Sequence, residues 1–296
     1  MRPSRLIAAF LSVMLLSGCT SPLPPTPTET PMDFTMPGVA ADMVDQLMAV
    51  AGSTHVVNVE LTRSEAHVSV VIGQDVLTYA YRDAHISQID SDIAYVGQAI
   101  FDPRTFALKN VKDLFTQASV ISGSNQGQQL QIVDYSDGTI YMNVTTNPDT
   151  VPVFFTPDGA LIRPLDPTDL VDLTSELTEV VGPDAVRVGV SSDGSVYVDL
   201  PAGPTQVLRV VRTSRFPVRT QLKPDSTPLT PFDSSLITPG MVQTILARAS
   251  AHLDKPLEQG FDLVISRPPE DREPTATVTM GIKTTHLSLN GVVLAA

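Results

Sequence analysis

Four segments of the chain, from residue 36 onward, repeat the same order of hydrophobic patterns. Each segment opens with a proline, continues with apolar residues at helical spacing, and then alternates apolar and polar residues as a strand does. Proline suits the first position of a helix, because its missing N–H would have no partner there. The opening pairs recur at intervals of 64 to 72 residues and are Met36-Pro37, Asp102-Pro103, Asp166-Pro167 and Thr238-Pro239. Near-constant spacing of this kind predicts an internal repeat.

The helical part of each segment predicts one amphipathic helix. Apolar residues recur every three or four positions, which places them on one face of a helix. These stripes cover residues 39–51, 106–118, 170–180 and 242–253.

The alternating parts predict short strands joined by tight turns. Asp137-Gly138, Asp193-Gly194 and Asn290-Gly291 are typical hairpin turns, and consecutive strands joined in this way pair antiparallel. We therefore predict the α+β class, with repeated modules of one helix followed by a 3–4-stranded antiparallel meander. Two modules form a first α+β domain at residues 38–164 and two more form a second at 165–296. A proline-flanked stretch at 224–231 offers an alternative boundary near residue 230.

The first 18 residues have the pattern of a secretory signal peptide. Arg2 and Arg5 precede an apolar run at residues 6–16, and small residues follow. The run is shorter than the roughly 20 apolar residues that a membrane-spanning helix needs. Cys19, which is the only cysteine in the chain, comes next.

The stretch Leu16-Ser17-Gly18-Cys19 resembles the lipobox of bacterial lipoproteins. In that family the cysteine thiol receives a diacylglyceryl group, the peptide is cut before it, and the new amine is acylated. The resemblance implies a lipid anchor on Cys19, with acyl chains such as palmitate, that holds the protein at the extracytoplasmic face of the cell membrane. Several acyl chains make a stable anchor where a single chain does not. The alternative is a cleaved signal with an incidental free thiol, which makes a secreted protein.

A proline- and threonine-rich tether follows at residues 19–37. Proline lacks the backbone donor that helices and sheets need, so the segment is predicted to be extended. At about 3.1 Å per residue, it reaches up to roughly 50 Å from the lipid headgroups.

The charge of the chain limits its partners. It carries 32 acidic and 19 basic residues, a formal net charge of −13. Phosphate backbones repel such a protein, so nucleic acid is not predicted as a partner.

One stretch departs from this acidic character. Residues 201–224 contain no Asp or Glu and carry five cations, Arg209, Arg212, Arg215, Arg219 and Lys223. Arginines on a strand can hold carboxylates or phosphates through paired hydrogen bonds, which indicates a surface for an anionic envelope ligand or an acidic protein. Alternatively, the same residues face acidic neighbours of this chain or protect a sheet edge.

The residues give no signature of catalysis. The histidines lack the spacing of a metal site, and the glycines around Ser124 lack the spacing of a nucleophile elbow. We therefore predict no catalytic residues, no metal and no cofactor.

These patterns lead to a functional hypothesis with two alternatives. The hypothesis is a non-enzymatic, lipid-anchored envelope protein that binds a protein partner or ligand outside the membrane. The helix-plus-meander topology resembles the PepSY and beta-lactamase-inhibitor-protein modules. A likeness to lipid-carrying lipoproteins of mycobacterial type implies the first alternative, a carrier with a cavity between sheet and helices. The second alternative is an enzyme with an unrecognised site.

Overall fold

The computed structural model describes residues 32–91, 93–136, 138–148, 151–228, 230–269 and 273–295. The predicted signal peptide, the lipidation site Cys19 and the tether up to residue 31 lie outside the described residues. None of the helices in these ranges combines the length and the apolar composition needed to cross a membrane.

Seven antiparallel strands form a first sheet. They are β1 (Val56–Leu61), β2 (Ala66–Ile72), β3 (Asp75–Arg82), β4 (His85–Ile89), β5 (Gln126–Ser136), β6 (Thr139–Asn147) and β7 (Val153–Phe155). Their spatial order is β4-β3-β2-β1-β5-β6-β7. Strands β1 and β5 pair in the middle, where Val59 lies opposite Ile132. A four-stranded and a three-stranded meander therefore share one continuous sheet.

Two helices, α1 (Val39–Ala51) and α2 (Val111–Ser122), contribute to a single core with the first sheet. The core includes Met43 and Leu47 of α1, Phe115 of α2, and Leu61 and Ile132 of the sheet. Because strand residues alternate, the residues between these core positions lie on the opposite side of the sheet, which we call the helix-free face.

The opening of α2 differs from the prediction. Asp102-Pro103 begins a 3₁₀ turn, Pro103–Thr105, and the helix begins only at Val111. The Asp102 carboxylate accepts from the backbone N–H of Arg104, and Phe106 after the turn is extended, so the helix does not continue.

A second sheet repeats the arrangement of the first. Its strands are β8 (Arg187–Ser191), β9 (Ser195–Gly203), β10 (Gln206–Arg212), β11 (Arg219–Pro224), β12 (Asp262–Ser266), β13 (Thr275–Met280) and β14 (Lys283–Ser288). Their order is β11-β10-β9-β8-β12-β13-β14, and the first strands of the two meanders again pair in the middle.

The described part of the second half contains three α-helices, α3 (Leu170–Ser175), α4 (Leu177–Val180) and α5 (Pro239–Leu253). The single helix predicted over 170–180 is broken at Glu176. The hydroxyls of Thr174 and Ser175 donate to the carbonyls of Leu170 and Asp172, and such bonds back to the helix bend it.

The α+β class and the antiparallel pairing are thus confirmed. The finer prediction, that each meander is separate and has one helix, agrees with the structure only in part. Pairs of meanders merge into seven-stranded sheets, and the second half carries three helices.

The turn between β3 and β4 provides a test of backbone strain. Asp83 and Ala84 both have positive φ, 52° and 61°, a region where a side chain crowds the following carbonyl oxygen. We expect Ala84→Gly to raise the free energy of unfolding by about 0.5–1 kcal/mol, because relief of this crowding exceeds the entropy cost of glycine. Urea unfolding measures the change. The reciprocal variant Gly73→Ala, at φ 69° in the β2–β3 turn, should destabilise, and a destabilised Ala84→Gly would contradict the argument.

Candidate functional site

The five predicted cations lie on β10, on β11 and on the loop between them, residues 213–218, which we call the junction loop. Arg209 pairs in register with Gln221, and Arg219 and Lys223 lie two positions to either side of Gln221. These three cations therefore share the helix-free face of the second sheet. Arg212 pairs with Val196 of the core and lies on the helix side. The structure does not bring all five side chains to one surface.

Arg209 belongs to an ion-pair network inside the protein. Its Nε and Nη2 donate to the two carboxylate oxygens of Asp199 at 2.7 and 2.9 Å, and Asp199 is fully buried. Arg187 Nη1 donates to the same Asp199 at 2.9 Å and to Asp225 at 2.7 Å. Two guanidinium groups thus face two carboxylates, and the charge of Arg209 is balanced within the chain. We call these four residues the arginine network.

An aromatic ring supports the arginine network. The guanidinium carbon of Arg209 lies 3.5 Å from the centroid of the Tyr197 ring, a favourable cation–π contact. The ring covers Gly189, where an added Cβ would lie 2.1 Å from ring atoms. Burial raises the pKa of the Tyr197 hydroxyl, and the charge of Arg209 opposes this shift. A side chain at residue 189 would displace the ring that holds Arg209.

The sequence analysis gave acidic neighbours of this chain as an alternative for these cations, but it did not name Asp199 or the other two members of the arginine network. Arg187 and Asp199 come before the stretch 201–224 that holds the five cations, and Asp225 comes directly after it. The signal for Asp199 and Arg187 is the spacing around the two hairpin turns that flank β9, because residues equally far from a turn centre pair across the hairpin.

Asp225 makes the stability of the arginine network depend on pH. The backbone N–H of Thr227 and the guanidinium of Arg187 lower the pKa of Asp225 to about 2. An unfolded aspartate has a pKa of about 3.9. Since the folded pKa is the lower one, the stabilisation is present above about pH 4 and is lost as the pH falls through about 2.

We therefore expect Asp225→Asn to destabilise the protein at pH 6 and to lose this effect near pH 2. Urea unfolding of both proteins at pH 6, 4 and 2.5 measures the difference in the free energy of unfolding. A difference that stays constant over this range would show that the charge of Asp225 does not contribute.

Arg212 is a buried cation that bonds to backbone carbonyls. Only 3% of its side chain is exposed. Its guanidinium donates to the carbonyls of Thr213, Phe216 and Arg163, and Glu176 lies 3.5 Å from its Nε. Arg212 therefore fixes the junction loop and the segment that leads from the first sheet to the second.

The junction loop packs against the first half of the protein. Phe216 stacks on Tyr135 of β5, with ring centroids 6.2 Å apart, and contacts Phe154 of β7 edge-on. The Ser136 hydroxyl donates to the carbonyl of Thr220 on β11 and accepts from its N–H, both at 3.1 Å. Aromatic packing and edge hydrogen bonds thus join the two halves at this loop.

The other three cations have no carboxylate partner among the described residues. Arg215 is exposed and lines a cleft of about 260 Å³ with Ile121, Val151 and Pro164. Arg219 has a buried Nε–H without a described acceptor. The cluster predicted as one surface therefore divides into two cations engaged by the protein itself, Arg209 and Arg212, and three that are not, Arg215, Arg219 and Lys223.

A second polar cluster, which the sequence analysis did not identify, lies on the helix-free face of the first sheet. The Glu60 carboxylate accepts from the side-chain amides of Asn58 and Gln129, both at 3.1 Å, and His67 Nδ1 lies 3.7 Å away. His67 and the two amides lower the pKa of Glu60 against the effect of burial. Because these residues come from β1, β2 and β5, the cluster links the two meanders.

A polar cleft of about 820 Å³ lies beside the start of the described chain. Asp33, Arg63, Lys112 and Gln129 line it together with Phe115. Arg63 donates to Asp33 at 2.7 Å, which closes one side of the cleft with an exposed ion pair.

Comparisons with known proteins do not identify the chain. No protein-family model matches it, and no curated protein matches it. Among solved structures, it is similar to the DNA polymerase III subunit beta of Pseudomonas aeruginosa, with 10% identity, 92% of this chain and 69% of that chain covered, and a TM-score of 0.17. A sliding clamp from the same organism has 9% identity, coverage of 87% and 62%, and a TM-score of 0.15. A Helicobacter pylori beta clamp bound to a DNA ligase peptide has 10% identity, coverage of 90% and 67%, and a TM-score of 0.16. The chain thus spans about two thirds of the length of these clamps.

Proposed function

We propose that this protein is a lipid-anchored, non-enzymatic lipoprotein that binds a ligand or partner at the outer face of the cell membrane. The observation that carries the proposal is the stretch Leu16-Ser17-Gly18-Cys19, which ends at the only cysteine and precedes a proline-rich tether. The described body begins at residue 32, before the end of the predicted tether, and Phe34 is already buried in its first core. The body presents two seven-stranded sheets, each with polar residues on its helix-free face.

We also infer that the body arose by duplication of a helix-plus-meander module. In each half, a four-stranded meander precedes a three-stranded one, and their first strands pair in the middle of the sheet. The same order in both halves supports four modules grouped in two domains, with a boundary near residues 164 and 165. A topological likeness to PepSY and beta-lactamase-inhibitor-protein modules is part of this proposal, and it favours a binding role.

The packing of the core favours this role over that of a hydrophobic carrier. A carrier needs a cavity between sheet and helices. In both halves, that space is occupied by buried side chains such as Leu47 and Ile132 in the first and Leu246 and Leu263 in the second. Binding at a surface fits such packing better than enclosure does.

Metabolic labelling tests the anchor. The protein, expressed in a bacterial host with radioactive palmitate, should incorporate label and sediment with membranes. Cys19→Ser should abolish both, because serine cannot form the thioether to diacylglycerol. Ser17→Ala keeps a small residue two positions before the cysteine and serves as the matched control. A mature protein with a free Cys19 thiol, or equal labelling of Cys19→Ser, would overturn the proposal.

A further inference from the structure

Arg219 is a cation whose buried donor lacks an acceptor. Its Nε–H is removed from water, and no described residue accepts a hydrogen bond from it. A buried donor without a partner is rare in folded proteins and costs free energy, because the hydrogen bonds it made to water are not replaced. An anion that accepts from this guanidinium would satisfy it.

Two residues beside Arg219 suit a ligand at the junction of the two halves. Val211 lies directly beside Arg219 in the register of the second sheet and is buried, so it forms an apolar floor. Tyr135 of the first half lies close enough for the Arg219 charge to lower the pKa of its hydroxyl, although burial of the ring is the larger effect and raises that pKa. The hydroxyl therefore stays protonated at neutral pH. It is a second donor without an acceptor in the described part of the chain.

Lys223 adds a second positive charge on the same face of β11. It lies four residues from Arg219, which is about 13 Å along a strand, and it shares the face of that residue. The adjacent arginine network is balanced, because its two arginines face Asp199 and Asp225. Arg219 and Lys223 therefore carry two positive charges that the arginine network does not neutralise, in a protein whose net charge is −13.

The space next to Tyr135 can hold the rest of a ligand. Residues 96–99 and 134–136 line an open groove of about 630 Å³. Asp134 lies in this groove, and its carboxylate accepts from the backbone N–H groups of Ala99 at 2.8 Å and Gly138 at 3.1 Å. Its negative charge is thus partly compensated by two donors.

We propose that Arg219, Tyr135 and Lys223 bind a phosphate group of a ligand at the junction between the two halves. A phosphate accepts paired hydrogen bonds from a guanidinium, has further oxygens for the Tyr135 hydroxyl, and carries up to two negative charges that match the two cations. This inference names a ligand class for the proposed binding function and rests on it.

Titration of inorganic phosphate into the mature lipidated protein, which begins at Cys19, in detergent tests the site. The readout is the NMR spectrum of the ¹H–¹⁵N signals from arginine Nε–H groups. The signal that disappears in the Arg219→Lys variant belongs to Arg219. We expect a saturable shift of that signal and no shift for Arg104, which is exposed and paired with Asp45. Tyr135→Phe should weaken phosphate binding about fivefold to tenfold, the effect of one lost hydrogen bond, and Lys223→Gln should also weaken it.

The probes distinguish the source of the phosphate. Tighter binding of glycerophosphoglycerol than of inorganic phosphate indicates a lipid headgroup or a phosphodiester polymer, and the reverse indicates a free phosphate. The proposal is overturned if the Arg219 signal does not move, if both variants titrate like the wild type, or if acetate binds as well as phosphate. Because palmitate labelling of Cys19 does not depend on this site, a failure here leaves the anchor result intact.

Discussion

Asp199→Asn should lower the free energy of unfolding by about 3–5 kcal/mol, the loss that follows when one partner of a buried ion pair is removed. Asp199 is fully buried and accepts three hydrogen bonds from Arg187 and Arg209. Asparagine keeps the shape but has no charge, and its NH₂ group would point at a guanidinium. Two largely buried cations would then share the single remaining carboxylate of Asp225. Guanidinium chloride unfolding, followed by circular dichroism, measures the change.

The matched control is Asp45→Asn, which makes the same substitution in an exposed ion pair. Asp45 accepts from Arg104 Nε at 2.9 Å, and the two side chains are 52% and 58% exposed. Exposed pairs contribute little to stability, so this variant should unfold almost like the wild type. Equal destabilisation by the two substitutions would refute the importance of burial in the arginine network.

Arg212→Met should destabilise the protein by about 3 kcal/mol, because three backbone carbonyls lose their donor in a buried place. Methionine fills most of the volume of the arginine stem but has no N–H groups. The carbonyls of Thr213, Phe216 and Arg163 would be left without the guanidinium, and the junction loop would lose its attachment. Hydrogen exchange should rise most at residues 213–218, and urea unfolding gives the loss in free energy.

Arg215→Met is the control for this prediction, since it makes the same change three residues further along the chain. Arg215 is exposed, and no described carboxylate pairs with it. We expect this variant to keep the stability and the exchange rates of the wild type. If the two variants behave alike, Arg212 does not hold the junction loop.

Local patterns predicted the individual elements better than the sheets. Helix α5 begins at Thr238-Pro239 as predicted, and the Thr238 hydroxyl accepts from the N–H of Met241. The pairing of β1 with β5 and of β8 with β12 joins strands about 70 residues apart. Hydrophobic alternation shows which face of a strand is buried, but it does not show which strand lies beside it. For that reason, the sequence predicted meanders but not their fusion into seven-stranded sheets.

Asp199 and Arg187, two members of the arginine network, could have been found from turn positions. Arg209 and Asp199 lie five residues on either side of Pro204, and Arg187 and Asp199 lie six residues on either side of Asp193. Both turns are visible in the sequence, so the hairpin pairing brings the three charges together. Composition alone did not reveal the pairing of Arg209 with Asp199, because the segment without acidic residues begins only after Asp199. The unpaired state of Arg219 depends on packing between the two halves, which no local pattern reports.

The Ser136 hydroxyl has a consequence for the behaviour of this protein at high local concentration. It occupies both the N–H and the C=O of Thr220 on the outermost strand of the second sheet. An uncovered outer strand is a template on which another chain can add a strand, and such pairing leads to aggregation. The same small side chain that helps to join the two halves thus also prevents neighbouring molecules from pairing with this strand at Thr220.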